Sequence, residues 1–123
     1  MSLNFLWPQA PTDPAFRGVP VSVRNDHYTI SQDDNGKKLL HTSATAHTYT
    51  FRGVYSPDFT VTIINATGAG VITIAADSMY TIYLSGAAAT TGSRTLTAVG
   101  VATATITNVA GVNTIFTVGS NLT

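Results

Sequence analysis

The chain contains no cysteine and no glutamate, and charged residues make up only 10% of its 123 residues. Without cysteine there is no disulfide framework, thiolate metal site or thiol nucleophile. Soluble domains usually carry about 25% charged residues, well above the share in this chain. Helical proteins use glutamate heavily, so its absence argues against a helical fold. The six acidic and six basic residues give a net charge of +0. This balance leaves little repulsion to oppose association.

The sequence also lacks a long apolar run and a recognisable leader. No segment approaches the ~20 apolar residues of a membrane-spanning helix. The N-terminal sequence MSLNFLWPQAPTD has neither a basic region nor a sustained apolar stretch, so it does not match a signal peptide. We therefore expect a soluble protein that is made in the cytoplasm and has no membrane partner.

Valine, isoleucine and threonine dominate the residues that are present. In the stretch 60–75, two runs of these residues flank a break that contains Asn65, Gly68 and Gly70. Branched side chains favour strands, while asparagine and glycine tolerate turn geometry. The stretch predicts a β-hairpin at the centre of the domain. A similar strand–Asn–Gly–strand unit spans 105–117 and predicts a second hairpin.

About nine short strands with frequent turn signals are predicted between residues 21 and 123, among them Lys38–Thr42 and His47–Phe51. This pattern is typical of an all-β domain, and we expect a compact antiparallel β-sandwich or barrel of the β-tulip or jelly-roll kind. Residues 1–20 differ, because closely spaced prolines fix φ and favour an extended chain. The predicted organisation is therefore an extended Pro-rich N-terminal arm, 1–20, followed by a single β-domain, 21–123.

The arm carries four large apolar side chains, Phe5, Leu6, Trp7 and Phe16. Either the arm folds back over its own core, with Trp7 filling a gap, or it docks into a neighbouring subunit. Aromatic anchors on an extended segment suit the second placement, and a disordered tail rarely carries the only tryptophan of a chain. These four residues are the predicted partner-binding residues.

Three histidines, His27, His41 and His47, are the candidate metal ligands. A continuous strand would hold His41 and His47 about 20 Å apart at ~3.3 Å per residue, so they would share a metal only if the intervening segment folds back. With no cysteine or glutamate, we predict no metal site and no cofactor, and we expect the three to be surface or strand-edge histidines. The run Asp33–Gly36 lacks the ligand spacing of a calcium loop and predicts a turn.

No group of residues predicts catalysis, so we do not expect an enzyme. Gly68-Ala69-Gly70 is a lone G-x-G with no following helix pattern. Serine, histidine and aspartate occur without a nucleophile elbow, and no carboxylate pair suggests glycoside cleavage. The basic residues are scattered, and only Lys37 and Lys38 are adjacent. We therefore expect no nucleic-acid partner.

Several runs resemble a small β-domain found in virion proteins of tailed bacteriophages. They are Asp34-Asn35-Gly36-Lys37 with the Thr-rich residues that follow as far as Thr50, the segment Val61–Ile74 around Gly68-Ala69-Gly70, and the ending Phe116–Leu122. The family usually has a tryptophan in its closing strand, where this chain has Phe116. The resemblance covers roughly residues 28–122.

The resemblance implies a virion component, because related domains occur in capsid decoration proteins and in tail fibres or tail tips. The chain shows no heptad seam of a fibre shaft. A compact domain with an extended arm fits a head decoration, or cement, protein that sits on the outer capsid surface and stabilises it. Such a protein would be assembled in the host cytoplasm, with the major capsid protein and further copies of itself, commonly as a trimer, as its partners.

The alternative is a tail-fibre or tail-tip module that recognises a host surface glycan. Aromatic rings stack on sugars, and the small-residue segment Ser85–Ser93 predicts an exposed loop. The tyrosines that this alternative would use, if exposed, are Tyr28, Tyr49, Tyr55, Tyr80 and Tyr83.

Overall fold

The computed structural model describes residues 19–87, 91–109 and 111–123. These ranges form one nine-stranded sheet and one short 3-10 turn at Gln32–Asp34. The strands are β1 Val21–Val23, β2 Tyr28–Ile30, β3 Lys38–His41, β4 His47–Phe51, β5 Thr60–Asn65, β6 Ile72–Ala76, β7 Thr81–Leu84, β8 Arg94–Val109 and β9 Val112–Leu122. The all-β prediction is confirmed. The four predicted arm anchors lie outside the described residues.

The sheet is mixed and curls into a half-barrel. The odd strands β1, β3 and β5 run parallel to one another, and so do the even strands β2, β4 and β6. Both sets border β8, which pairs antiparallel with β5 and, nearer its start, with β6. On its other side β8 pairs with β9, which is parallel to β7. The expected purely antiparallel pairing is therefore wrong. Most strands pair with the strand after next in the sequence and not with their immediate neighbour, and five of these pairs are parallel.

The predicted central hairpin is also wrong. β5 and β6 do not pair with each other but lie one after the other along β8, so the segment between them continues the chain along β8 and does not reverse it. The second predicted hairpin is confirmed, because β8 and β9 pair antiparallel down to Val109 and Val112. Glycine and asparagine permit a tight bend of either kind. Composition alone does not distinguish a reversal from a corner.

The chain winds through three similar coils. In each coil an odd strand leads through a short corner into an even strand, and a connection then returns the chain to the next odd strand. The corners are 24–27, 42–46 and 66–71. Because each coil repeats the path of the previous one, the strands of successive coils lie side by side and pair in parallel.

The core lies between the inward faces of the two strand sets. Leu39, Val61 and Ile63 of the odd strands and Ile72 and Ile74 of the even strands have no solvent exposure. Complete burial of one such side chain stabilises the fold by about 1.5–3 kcal/mol. Aromatic rings close one end, where Phe51, Tyr55 and Phe59 contact one another at centroid distances of 4.8–6.1 Å.

Long apolar helices are absent from the part of the chain that the structure describes, and none of its helical segments could cross a membrane.

Candidate functional site: an outer sheet face and a histidine corner

Six strands, in the order β1, β3, β5, β8, β9 and β7, present one continuous surface that points away from the core. We call this surface the outer face. Side chains alternate between the two sides of a strand, so every second residue belongs to it. Its members are Val21, Val23, Lys38, Leu40, Thr60, Thr62, Ile64, Thr81, Tyr83, Val101, Thr103, Thr105, Phe116, Val118 and Ser120.

The strand register aligns the apolar members of the outer face. Val23, Leu40, Ile64 and Val101 form one row across four strands. Val23 is 58% exposed and Val101 is 43% exposed. The row therefore presents a continuous apolar stripe to solvent.

An aromatic pair lies at the β9–β7 end of the outer face. Phe116 and Tyr83 are register partners, and their rings stack with centroids 5.7 Å apart and planes inclined by 22°. Phe116 remains 40% exposed. Between this pair and β3, threonines occupy the centre of the sheet, and the Oγ1 atoms of Thr60 and Thr105 lie 3.5 Å apart. Cross-strand threonines of this kind can pair their hydroxyls with each other and leave methyl groups at the surface.

The outer face is nearly free of charge, with Lys38 as its one charged member. The other charged residues of the described ranges lie in corners and connections, apart from Arg94. The guanidinium of Arg94 is buried and donates to the carbonyls of Thr91, Gly92 and Ser93. With strands ~4.8 Å apart and residues ~3.3 Å apart, the outer face spans about 24 Å by 15 Å, or about 350 Å². The apolar members share this area with threonine, serine and lysine, so the apolar part is smaller than the whole face. Exposed apolar patches of a few hundred Å² on soluble proteins often mark interaction sites.

The three corners form a second polar feature, because each is hydrogen-bonded to the next. The Oδ1 of Asn25 accepts from the backbone N–H groups of Thr42 and Ser43, at 2.8 and 3.2 Å. The Gly70 N–H donates to the Ser43 carbonyl at 2.8 Å. A Cβ on Gly70 would lie 2.6 Å from the Thr45 carbonyl carbon, so only glycine permits this approach. The corners are therefore joined in series.

His41 and His47 meet across the corner 42–46, which contradicts the separation expected from a continuous strand. The corner 42–46 folds back, and the Nε2 of His41 lies 2.9 Å from the Nδ1 of His47. The His41 Nδ1 lies 2.8 Å from the Oδ1 of Asn65. His41 is fully buried, so the expectation of surface or strand-edge histidines is wrong for this residue.

Hydrogen bonding assigns the protons of this cluster. The Asn65 amide nitrogen donates to the carbonyls of Gly70 and Leu96, at 2.8 and 3.0 Å, so its oxygen faces His41. The His41 Nδ1 must then carry the hydrogen. In neutral His41 the Nε2 is the acceptor, and the His47 Nδ1–H donates to it. The pair forms a part-buried hydrogen-bonded link between the end of β3 and the start of β4.

No group of three potential metal ligands exists among the described residues. The His41 lone pair already receives the His47 hydrogen. The Nδ1 of His27 accepts from the Thr48 N–H at 3.0 Å. The predicted turn at 33–36 is confirmed, since Gly36 has a φ of 77° and Asp34 completes a capping box with Ser31.

Four of the five tyrosines use their hydroxyl groups for hydrogen bonds within the fold. The Tyr49 hydroxyl donates to the Arg24 carbonyl, and the Tyr55 hydroxyl donates to the Ile30 carbonyl at 2.6 Å. Burial raises the pKa of both phenols. Both residues are buried and are therefore not exposed for stacking on a sugar.

The half-buried Tyr28 and Tyr80 are also committed to internal bonds. The Tyr28 hydroxyl donates to the Oδ2 of Asp34 at 2.6 Å, and burial followed by this bond raises the pKa of Tyr28 to about 12. The Tyr80 hydroxyl donates to the Gly53 carbonyl at 2.8 Å. Only Tyr83, of the five, belongs to the outer face.

The predicted loop Ser85–Ser93 is described only at its two ends. Thr91, Gly92 and Ser93 line a shallow cleft with Ala76, Tyr80, Thr81 and Ile82. This lining contains no charged side chain that would anchor a ligand.

Sequence reasoning missed the outer face as a unit, because it requires the skipped-strand register. The sequence feature that could have indicated it is the alternation of Val and Thr with buried residues in 60–65 and 101–107.

No family model, no curated protein and no solved structure matches the chain.

Proposed function

We propose that this chain is a structural protein of a tailed-bacteriophage virion, and specifically a head decoration protein that binds the outer capsid surface and bridges capsid subunits. The observation that carries the proposal is the outer face, which is broad, nearly uncharged and exposes valine and phenylalanine side chains. The resemblance of residues 28–122 supplies the class of protein, and the outer face supplies a surface suited to assembly.

The proposed mechanism is mechanical, because the bound protein would hold neighbouring capsid subunits together. If the whole ~350 Å² were apolar, its burial at ~25 cal/mol per Å² would contribute at most about 9 kcal/mol, whereas association costs about 4–15 kcal/mol. One face on one copy is therefore marginal. Several linked copies convert later contacts into intramolecular ones and multiply the overall affinity. A trimeric protein with the major capsid protein as partner would meet this requirement and oppose separation of the subunits that it bridges.

The arm anchors Phe5, Leu6, Trp7 and Phe16 supply further apolar contact area in this proposal. The alternative, a tail-tip module for a host glycan, has less support. Of the five tyrosines that it would use, Tyr49 and Tyr55 are buried and the hydroxyls of Tyr28 and Tyr80 bond within the fold.

The test is where the protein binds. A fluorescent dye is attached at Val54→Cys, a loop position that is 81% exposed and lies off the outer face. The chain has no other cysteine. The labelled protein is mixed with DNA-filled heads and, separately, with host cells. We expect saturable binding to heads and none to cells.

A variant that lacks residues 1–16 should retain its strand signal in circular dichroism and lose head binding. Full head binding by this variant would remove the arm from the mechanism. Binding to cells without binding to heads would move the protein to the tail and contradict the decoration role.

A further inference from the structure

We propose that His27 is a pH-sensitive latch, which joins the corner of the first coil to β4 while its ring is neutral and releases that corner when the ring becomes charged. The first coil consists of β1, the corner 24–27 and β2. The latch belongs to the isolated protein, so it operates whether or not the protein binds a capsid.

The latch is the hydrogen bond between the His27 ring and the backbone of β4. The Nδ1 of His27 accepts from the Thr48 N–H at 3.0 Å. A ring nitrogen that accepts carries no hydrogen, so the hydrogen of neutral His27 is on Nε2. Protonation adds a hydrogen to Nδ1, and two N–H groups then face each other. The bond therefore exists only while His27 is neutral.

This bond lies where the first coil begins to pair with the second. His27 immediately precedes β2, and the first register pair of β2 and β4 is Tyr28 with Tyr49. The bond from Thr48 to the ring is thus one residue ahead of the backbone ladder, at its open end. Because β2 has only three residues, a bond at this end is a substantial part of its attachment.

The other described side-chain bonds of this corner have no reason to change between pH 5 and 8. The Asn25 side chain bonds to the backbone N–H and the hydroxyl of Thr42, and an amide gains no charge in this range. The Arg24 carbonyl accepts from the Tyr49 hydroxyl, and burial raises the pKa of that phenol. Imidazole is the side chain that ordinarily changes its charge between about pH 5 and 8. His27 is therefore the attachment that responds to mild acid.

The neighbouring histidine pair tolerates a proton that His27 does not. The His47 Nδ1–H donates to the His41 Nε2 at 2.9 Å, and a proton added to the other ring nitrogen of His47 leaves this bond as it is. The rings of His27 and His47 meet edge to face with centroids 5.1 Å apart. Charges on both rings would repel at this distance. The charged His27 ring therefore moves towards solvent, to which His27 is already exposed.

The surroundings of the ring offer no replacement for the lost bond. The titratable and charged groups around it lie on the corner and on β2, β3 and β4, and they are Arg24, Asp26, Tyr28, His41, His47 and Tyr49. The Arg24 guanidinium lies over the Tyr28 ring, 4.3 Å from its centroid. Asp26 is exposed, so water screens its charge. Among the described residues, no carboxylate bonds to His27 and holds the charged ring in place.

The test is amide hydrogen exchange, followed by NMR on the purified protein. Protection is expressed relative to the intrinsic exchange rate at each pH. We expect the protection of the Thr48 amide to fall at least tenfold between about pH 7.5 and about pH 5. The internal control is the Thr42 amide, which donates to the uncharged Asn25 side chain of the same corner. Its protection should change by less than about threefold.

Two variants separate the latch from a general sensitivity to acid. His27→Asn supplies an amide oxygen as acceptor and gains no charge, so the Thr48 amide should stay protected at both pH values. His27→Ala removes the acceptor, so the Thr48 amide should be poorly protected at both. Because His27 is exposed, neither substitution opens a core cavity, and circular dichroism checks that both variants keep the natural strand signal.

Unchanged protection of the Thr48 amide in the natural chain at the two pH values would overturn the latch. A fall of equal size in His27→Asn would do the same, because the change would then not depend on a charge at this position. A parallel fall at Thr42 also contradicts the proposal, since the whole corner would then be opening in acid.

Discussion

Replacement of Asn65 by alanine tests whether the hydrogen-bonded cluster of His41, His47 and Asn65 holds the coils together. Asn65 is 1% exposed, and its side chain bonds to His41, to the Gly70 carbonyl and to the Leu96 carbonyl. A net hydrogen bond contributes about 1 kcal/mol, and each buried group left unpaired costs about 1–3 kcal/mol. Allowing for relaxation, we expect Asn65→Ala to lower the free energy of unfolding by about 3–5 kcal/mol.

The loss is measured by urea unfolding. With a slope of about 1.5 kcal/mol per molar urea, the midpoint should fall by at least about 2 M. The control is Asn113→Ala, because the Asn113 side chain is exposed and, among the described residues, bonds only to Asn108. Its loss should stay within about 0.5 kcal/mol.

A double-mutant cycle with His41→Ala isolates the shared bond, and we expect a coupling above about 1 kcal/mol. A loss below about 1 kcal/mol for Asn65→Ala, or one that matches Asn113→Ala, would refute the view that the corner is a structural pin.

Two further predictions concern the corner and the buried phenols. Gly70→Ala should cost about 3 kcal/mol, because the new Cβ would lie 2.6 Å from backbone at Thr45. Gly68→Ala meets no atom within 4 Å and should cost only about 1–2 kcal/mol for its positive φ; equal thermal midpoints would contradict the close approach. The pKa of Tyr28 is about 12 in the fold and about 10 when unfolded, so the stability from its neutral phenol is complete below pH ~10 and is lost as the pH rises towards 12. Urea midpoints across this range should fall less steeply for Tyr28→Phe, and parallel curves for variant and natural chain would refute the linkage.

The sequence predicts the strands well because their signals are local. The predicted strand His47–Phe51 matches β4, and the buried and outward residues of β5 and β8 alternate as the pleat of a strand requires. Branched side chains favour a pleated backbone whatever strand lies beside them. Strand positions and faces therefore follow from the sequence.

Strand partners are not local, and here the prediction fails. The Asn65–Gly70 break has the composition of a reversal, yet it is a corner. The difference lies in contacts with residues far away in sequence, namely Ser43, Thr45 and Leu96. The same corner brings His41 to His47. A separation measured along a straight strand could not anticipate it.

The placement of charge explains why this fold is suited to assembly. The connections carry Asp33, Lys37, Arg52 and Asp58, so the end loops of the coils meet water with charged groups. The outer face keeps only Lys38, and the net charge of +0 provides no long-range repulsion between copies. A coil architecture makes this segregation simple, because charge sits in the connections and threonine and valine fill the outward strand positions. A face of that composition gains free energy when it is covered, whereas the charged ends stay hydrated, so association should proceed through the sheet and not through the loops.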